Sequence, residues 1–313
     1  MEKEVRAMLD SVQRRILEEV ADLHETPIGA YNIRANGQSA ERQTTANVDI
    51  VTKEDRSGID VHILPFTTNE SVHIPVVISE SGIEEVVYND FYVGEGADVV
   101  IVAGCGIHNC GDQDSSHNGI HRFFLSRGAH IKYVEKHYGE GDGNGQNIMN
   151  PTTEVYLEED AVMEMETVQI KGVDSTDRRM IATLAKGAKL IVRERLMTHG
   201  QQSAISYYHV DMNGEGCSCD LVSRSVARDN SYQKFDSLIV GNAPCTGHTE
   251  CDAIIMDSAR VLAVPQLDAN NIDASLIHEA AIGKIAGEQL IKLMTLGLSE
   301  AEAEEQIIQG FLK

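Results

Sequence analysis

Two stretches of this 313-residue chain gather the side chains best suited to metal or sulfur chemistry. The first runs from Cys245 to Glu279 and opens C-T-G-H-T-E-C-D, bringing together Cys245, His248, Cys251, His278 and several carboxylates. Thiolate and imidazole are ligand types that suit iron, zinc and iron-sulfur centres. Spacing alone leaves open the alternative that the cysteines pack as small hydrophobes and the histidines are solvated. The second stretch, V-A-G-C-G-I-H-N-C, leaves a strand through Gly104 and enters a polar loop carrying Asp112, Asp114 and His117. A thiol such as Cys105, beside a glycine at a strand end, is expected to be accessible and flexible, as a thiol that accepts sulfur or ligates iron has to be. Cys110, His108 and His117 read either as further ligands or as surface residues without a role. Cys217 and Cys219 lie two apart, so on a strand they share a face; they could pair as ligands, but filling a strand-stack interior is the preferred reading.

The elements that must position these residues change character along the chain. Residues 1–23 read as an amphipathic helix, with Val5, Met8, Leu9, Val12, Ile16 and Val20 on one stripe. A turn-rich connector with at most short strands follows, so that 1–57 forms an N-terminal helix and connector. From Gly58 the pattern turns to short strands in which a recurring unit appears: Gly96-Ala97, Gly128-Ala129, Asp160-Ala161 and Gly187-Ala188, each ahead of alternating apolar residues. The alanines recur 32, 32 and 27 residues apart, as stacked repeats do. The natural reading is a parallel β-helix over 58–272, whose coils share one interior and turn their corners at the small pair. An antiparallel sandwich or barrel built from the same strands is the alternative. Residues 273–313 read as a helical segment: a helix from Ala280 to Leu296 stopped at Gly297, then a second opened by a Ser299/Glu302 capping box. His278 and Glu279 are then expected at the first turn, aimed back over the end of the β-helix, with Glu279 favourably placed for the helix dipole.

Composition narrows the function classes. With 42% hydrophobic residues the chain can bury a sizeable core, and 49 acidic against 26 basic residues give a net charge of -23. Such a charge repels phosphate backbones and anionic membranes, so neither nucleic acid nor membrane is an expected partner. No charged-then-apolar leader and no apolar stretch of about 18 residues occurs, which makes the cytoplasm the expected compartment and reduced thiols the expected state of the six cysteines.

The words Cys251-Asp252, Pro265-Gln266-Leu267, His278-Glu279-Ala280, Gly283-Lys284-Ile285, Glu288-Gln289-Leu290, Gly297-Leu298-Ser299-Glu300 and Ile307-Ile308-Gln309-Gly310-Phe311, in that order, resemble the C-terminal signature of the SufB/SufD family of iron-sulfur cluster assembly scaffolds. The resemblance implies a mainly β fold, a right-handed parallel β-helix flanked by helical segments. It also implies that Cys105 and Cys251 accept sulfur, and that Cys251, Glu279, His278 and Cys105 hold a transient 4Fe-4S or 2Fe-2S cluster. In the resemblance the His278-Glu279 pair is SufB-like, and the shortness of the chain, with no cysteine before Cys105, suggests a minimal version. The C-terminal helices, through Ile307, Ile308 and Phe311, are implied to dock a SufC-type ABC ATPase, and a sulfur donor such as a cysteine desulfurase and a second copy of the chain are the other implied partners. The chain has no G-x-x-x-x-G-K-[ST] phosphate loop, so ATP hydrolysis is expected in a separate subunit and the chain itself is not expected to be an enzyme. Two other readings stand beside this one: a metal-dependent β-solenoid or cupin-like enzyme using His248, His278 and Glu279, and a structural ATPase adaptor without metal.

Overall fold

A computed structural model of the chain describes residues 9–21 and 29–313. Helix α1 (Ser11–Ala21) precedes the short strands β1 (Ala30–Ala35), β2 (Gln38–Gln43) and β3 (Val48–Thr52), and β4 (Gly58–Ile63), β5 (Thr68–His73) and β6 (Val76–Ile78) begin the coils. From β7 (Glu84–Val93) the chain winds between two sheets of parallel strands. One sheet takes β7, β9 (Ser115–Leu125), β11 (Asn147–Met149) with β12 (Thr152–Leu157), β14 (Ser175–Leu184), β16 (Ser203–Met212), β18 (Tyr232–Gly241) and β20 (Arg260–Ala269). The other takes β8 (Asp98–His108), β10 (His130–Glu140), β13 (Val162–Lys171), β15 (Lys189–Thr198), β17 (Ser218–Ala227), β19 (Thr246–Ile255) and β21 (Ser275–Gly283). The result is a mainly β protein: among the described residues, a β-solenoid of about 8 turns with three short helices at its termini.

Alternation explains the coils. In β10 and β16 every second residue is buried, so each strand gives one row of side chains to the shared interior and one to solvent. The interior rows hold Ile101, Ile131, Phe91, Phe123 and Tyr133, all fully buried, with the Phe91 and Phe123 rings stacked at 4.6 Å. The expected corners are present: Ala97, Ala129, Ala161 and Ala188 are all fully buried, each after a residue with φ near +60°. Cys217 follows Gly216 at the same corner one coil later, and Cys245 opens the next strand in the same way, so these two thiols occupy the corner position that alanine fills elsewhere. Cys217 and Cys219 are buried, in line with the interior reading, and Cys245 is buried as well.

The C-terminal end of the solenoid differs from expectation, whereas the short strands β1 to β3 are of the kind the connector allowed. The described part of the N-terminal helix lays Ile16 and Val20 on the outer face of β8, where a Cβ on Gly104 would stand 2.4 Å from the Val20 carbonyl oxygen; Val5 and Met8 lie outside the described residues. At the other end, the helix expected from Ala280 begins only with α2 (Gly287–Met294), and 275–283 is the last strand of a sheet, in register with β19. The coiled region thus extends past 272 to Gly283, and β1 to β3 place strands ahead of 58 as well. Helix α3 (Glu300–Phe311) carries the expected Ser299/Glu302 capping box and folds back so that Ile308 and Leu312 pack on Val226 of β17. Among the described residues no helix is long and apolar enough to cross a membrane.

Candidate functional site

Cys105 points into the solenoid. It is 4% exposed, not accessible as a strand-end thiol was expected to be, because odd-numbered residues of β8 face inward and the strand runs on to His108. Its neighbours there are imidazoles: His137 is its Cα partner on β10, and both His117 and His137 hydrogen-bond its sulfur. Burial alone raises a thiol pKa, but the His117 charge and the two hydrogen bonds outweigh it and bring Cys105 down to about 7. Burial opposes the charge on His117 too, yet Cys105 and Glu85 hold it up at about 10; His117 Nδ1 lies 3.0 Å from Glu85, which Arg34 clamps in turn at 2.6 Å. A thiolate flanked by imidazolium is a soft nucleophile in a site that water does not reach.

From Cys105 a row of polar side chains runs along the interior toward the C-terminal coils. His137 Nε2 lies 3.7 Å from Glu135, Arg178 pairs closely with Glu135, and Arg178 Nε lies 3.8 Å from Glu194. Glu194 then accepts from Ser206 (2.6 Å), Tyr208 (2.9 Å) and Ser223 (2.6 Å). Ser223 is the Cα partner of Cys251 on the next coil, so the row ends at that thiol. Charges this deep are tolerated only when paired and hydrogen-bonded, and losing one partner of such a pair costs about 3–5 kcal/mol. A void of ≈10 Å³ between Thr167, Gln169, Arg178, Glu194 and Ser206 has room for about one water molecule. Cys251 itself is 1% exposed, and burial, then the Glu194 charge, push its thiol up to about 12. The two cysteines therefore differ: one is poised as thiolate near neutrality, the other is held as thiol.

The pairing of β19 with β21 divides the expected C-terminal cluster between two faces. Thr249 partners His278, Glu250 partners Glu279 and Cys251 partners Ala280. Because neighbours on a strand point to opposite sides, His278 turns inward beside the buried Thr249, where its Nδ1 is buried and has no hydrogen-bond partner, while Glu279 turns outward. His278 and Glu279 thus do not sit together at a first helical turn as expected: His278 shares the inward face with Cys251, and Glu279 lies on the outer one. On the outer face Glu279 meets His248, which the alternative metal-enzyme reading had grouped with it, and Glu250, which no reading used; one ligand atom from each lies within 4.8 Å of the others. His248 Nε2 is 3.7 Å from Glu279, and its Nδ1 is 2.9 Å from Asp220, which raises the imidazole pKa and orients the ring. Imidazole with two carboxylates is a ligand set for a first-row divalent metal such as iron. The group adjoins a cleft of ≈440 Å³ lined by Arg193, Arg195, Arg224 and Lys313 as well as Asp220, His248 and Glu250. Only strand register brings Glu250 to Glu279, 29 residues on.

Of the remaining site residues, Ile308 is 2% exposed and used on the chain's own sheet, whereas Ile307 and Phe311 line an apolar groove with Ile254, Ile282 and Ile285.

A solenoid that keeps a histidine-flanked thiolate inside and an imidazole-carboxylate group on its last coils combines ligands for sulfur and for iron in one scaffold. The chain belongs to the SufBD family: the family profile described as SUF system FeS cluster assembly, SufBD core domain, matches residues 82–311. An iron-sulfur cluster assembly SufBD family protein of Methanothermobacter thermautotrophicus is 28% identical over 240 residues, 75% of this chain and 57% of the relative. Relatives of the same description from Methanocaldococcus jannaschii (28% over 243 residues; 77% of this chain, 76% of the relative) and Archaeoglobus fulgidus (27% over 265 residues; 83% and 69%) are also similar. The chain thus spans little more than half of the first of these. The profile and these relatives are all described by iron-sulfur cluster assembly.

Proposed function

We propose that the chain is a scaffold on which sulfur and iron are assembled into a transient iron-sulfur cluster, under the control of a separate SufC-type ABC ATPase. The observation that carries this reading is the interior polar row that begins at the Cys105 thiolate and ends at Cys251. In this reading Cys105 receives sulfur that originates in a donor such as a cysteine desulfurase, and Cys251 holds it at the far end. Iron enters on the outer face at His248, Glu250 and Glu279, with His278 lining the interior between the two. The coils supply ligands and a water-poor path; no bond-making by the chain beyond sulfur exchange is required. Docking of the ATPase is assigned to the C-terminal helices, where α2 and the residues after it expose Ile291, Met294 and Leu296 next to the groove of Ile307 and Phe311. The cytoplasm, where thiols stay reduced, is the compartment this chemistry suits.

The test is anaerobic reconstitution with ferrous iron and sulfide, followed by iron and acid-labile sulfide analysis. The wild-type chain is expected to hold both, Cys251→Ser and Glu279→Ala to lose most of both with an unchanged circular dichroism spectrum. Iron without sulfide would favour a metal-only site, and neither in the wild-type chain would overturn the reading.

A further inference from the structure

The loop that follows the Cys105 strand carries a second thiol, and its surroundings are those of a nucleophile. Cys110 is exposed and free. Its Sγ lies 3.0 Å from His108 Nε2, and His108 Nδ1 lies 2.8 Å from Glu140 Oε1 on the neighbouring strand. Glu140 is held in turn: its Oε2 accepts from the Tyr138 hydroxyl at 2.9 Å, and Arg15 of α1 pairs with Oε1. A burial effect that would raise its pKa is outweighed by Tyr138, His108 and Arg15, so Glu140 stays a carboxylate. A carboxylate can only accept, which places the proton of a neutral His108 on Nδ1 and leaves Nε2 to take the proton of the Cys110 thiol.

The loop is rigid, which a working geometry needs. The Asn109 side chain, 2% exposed, donates to the Gln113 carbonyl at 2.9 Å and its carbonyl-type oxygen accepts from Gly111 N at 3.1 Å, while Asn109 N donates to the Glu140 carbonyl at 2.9 Å. The loop of the next coil stacks on it so closely that a Cβ on Gly143 would lie 2.2 Å from the Gly111 carbonyl oxygen.

We infer that Cys110, with His108 as its base and Glu140 as the positioning residue, is the surface thiol that takes sulfur from an external persulfide. This rests on the scaffold reading above and names a point of entry for it, since Cys105 is enclosed. His108 Nε2 removes the Cys110 proton; the thiolate attacks the outer sulfur of R–S–SH; the donor S–S bond breaks as the Cys110 S–S bond forms; the departing thiolate takes the proton from His108. The products are Cys110–S–SH and R–SH, and because the transferred sulfur keeps its oxidation level no oxidant is required. The donor class is a persulfide on a protein or a small thiol.

The test exposes the reduced full-length chain, without oxygen, to one equivalent of glutathione persulfide, quenches with iodoacetamide over time and locates persulfides by peptide mass spectrometry. Cys110 is expected to be modified first. His108→Ala should slow it about ten- to a hundredfold, the size of general-base assistance, and added imidazole should restore part of the rate. Cys110→Ser, at an exposed position, should abolish it without changing the melting temperature. Modification of Cys110 at the same rate with and without His108, or no modification of Cys110 in a chain that still reconstitutes iron and sulfide, would overturn the inference and leave the scaffold reading standing. A chain that reconstitutes neither would remove the scaffold reading and this inference with it.

Discussion

Cys105 and Cys251 share an interior but not an ionisation state, and the difference comes from what each meets. Near Cys105 two imidazoles more than offset burial; near Cys251 burial and the Glu194 charge act in the same direction. The sign for Cys105 is that of an acid with a depressed pKa: it is thiol well below pH 7 and thiolate above. Replacing His117 by Gln removes the largest lowering influence while the burial remains, so the midpoint should rise from about 7 toward or past the ordinary thiol value of about 8.5. The measurement is the thiolate absorbance near 240 nm against pH, taken as the difference from Cys105→Ala, and an unmoved midpoint would show that His117 does not set it. The sequence offered Cys105 and Cys251 as thiols of interest, but the row between them was not legible: His137, Glu135, Arg178, Glu194 and Ser223 come from four strands, and only register aligns them. A buried charge in the sequence reads as an ordinary solvated one until its strand has a face.

At the scale of elements, the repeat was legible because a corner tolerates little beyond a small side chain, so the Gly-Ala or Asp-Ala pair recurs at four successive coils before cysteine takes the alanine's place. The end of the coils was not. The run L-I-H-E-A-A-I-G places apolar residues at spacings compatible with either a helix turn or a strand, and hydrogen bonding to β19 decides for the strand. That choice turns His278 and Glu279 to opposite faces, a consequence larger than the few residues of boundary involved. Helix α1 raises the complementary point at the other end. Gly104 and Gly106 leave a bare strip of backbone on the outer face of β8, and Val20 and Ile16 fill it, directly behind the Cys105 thiol. A methyl at Gly104 meets the Val20 backbone, which cannot swing aside as a side chain tip would. Gly104→Ala should therefore destabilise the chain by about 1–3 kcal/mol through overpacking, read as a lowered denaturation midpoint. A neutral effect would mean that α1 rests less closely on β8 than the contact implies.

The whole molecule is asymmetric along its axis. The N-terminal coils are covered by α1 and by the antiparallel strands β2 and β3, which close both sheets at that end. The C-terminal end is open: β20 and β21 are the last strands of their sheets, and their inward side chains are at most partly covered. Leu267 shows this most directly. It is the Cα partner of the fully buried Ile239 and so faces the interior, yet it is 40% exposed because no further coil lies over it. Exposed edges with unpaired backbone groups and uncovered apolar residues are the usual template for pairing with another chain. A second copy joined two-fold across β20 and β21 would extend both sheets and bring the Glu279 and His278 positions of one subunit against those of the other. The expected outcome is a dimer of the purified chain by light scattering. Leu267→Lys, which places a charge on the uncovered face without removing core volume, should yield a monomer with the same circular dichroism spectrum, and its iron and sulfide content after reconstitution should fall if the ligands of two subunits are shared. A wild-type monomer, or a Leu267→Lys variant that remains dimeric, would move the interface away from this end of the solenoid.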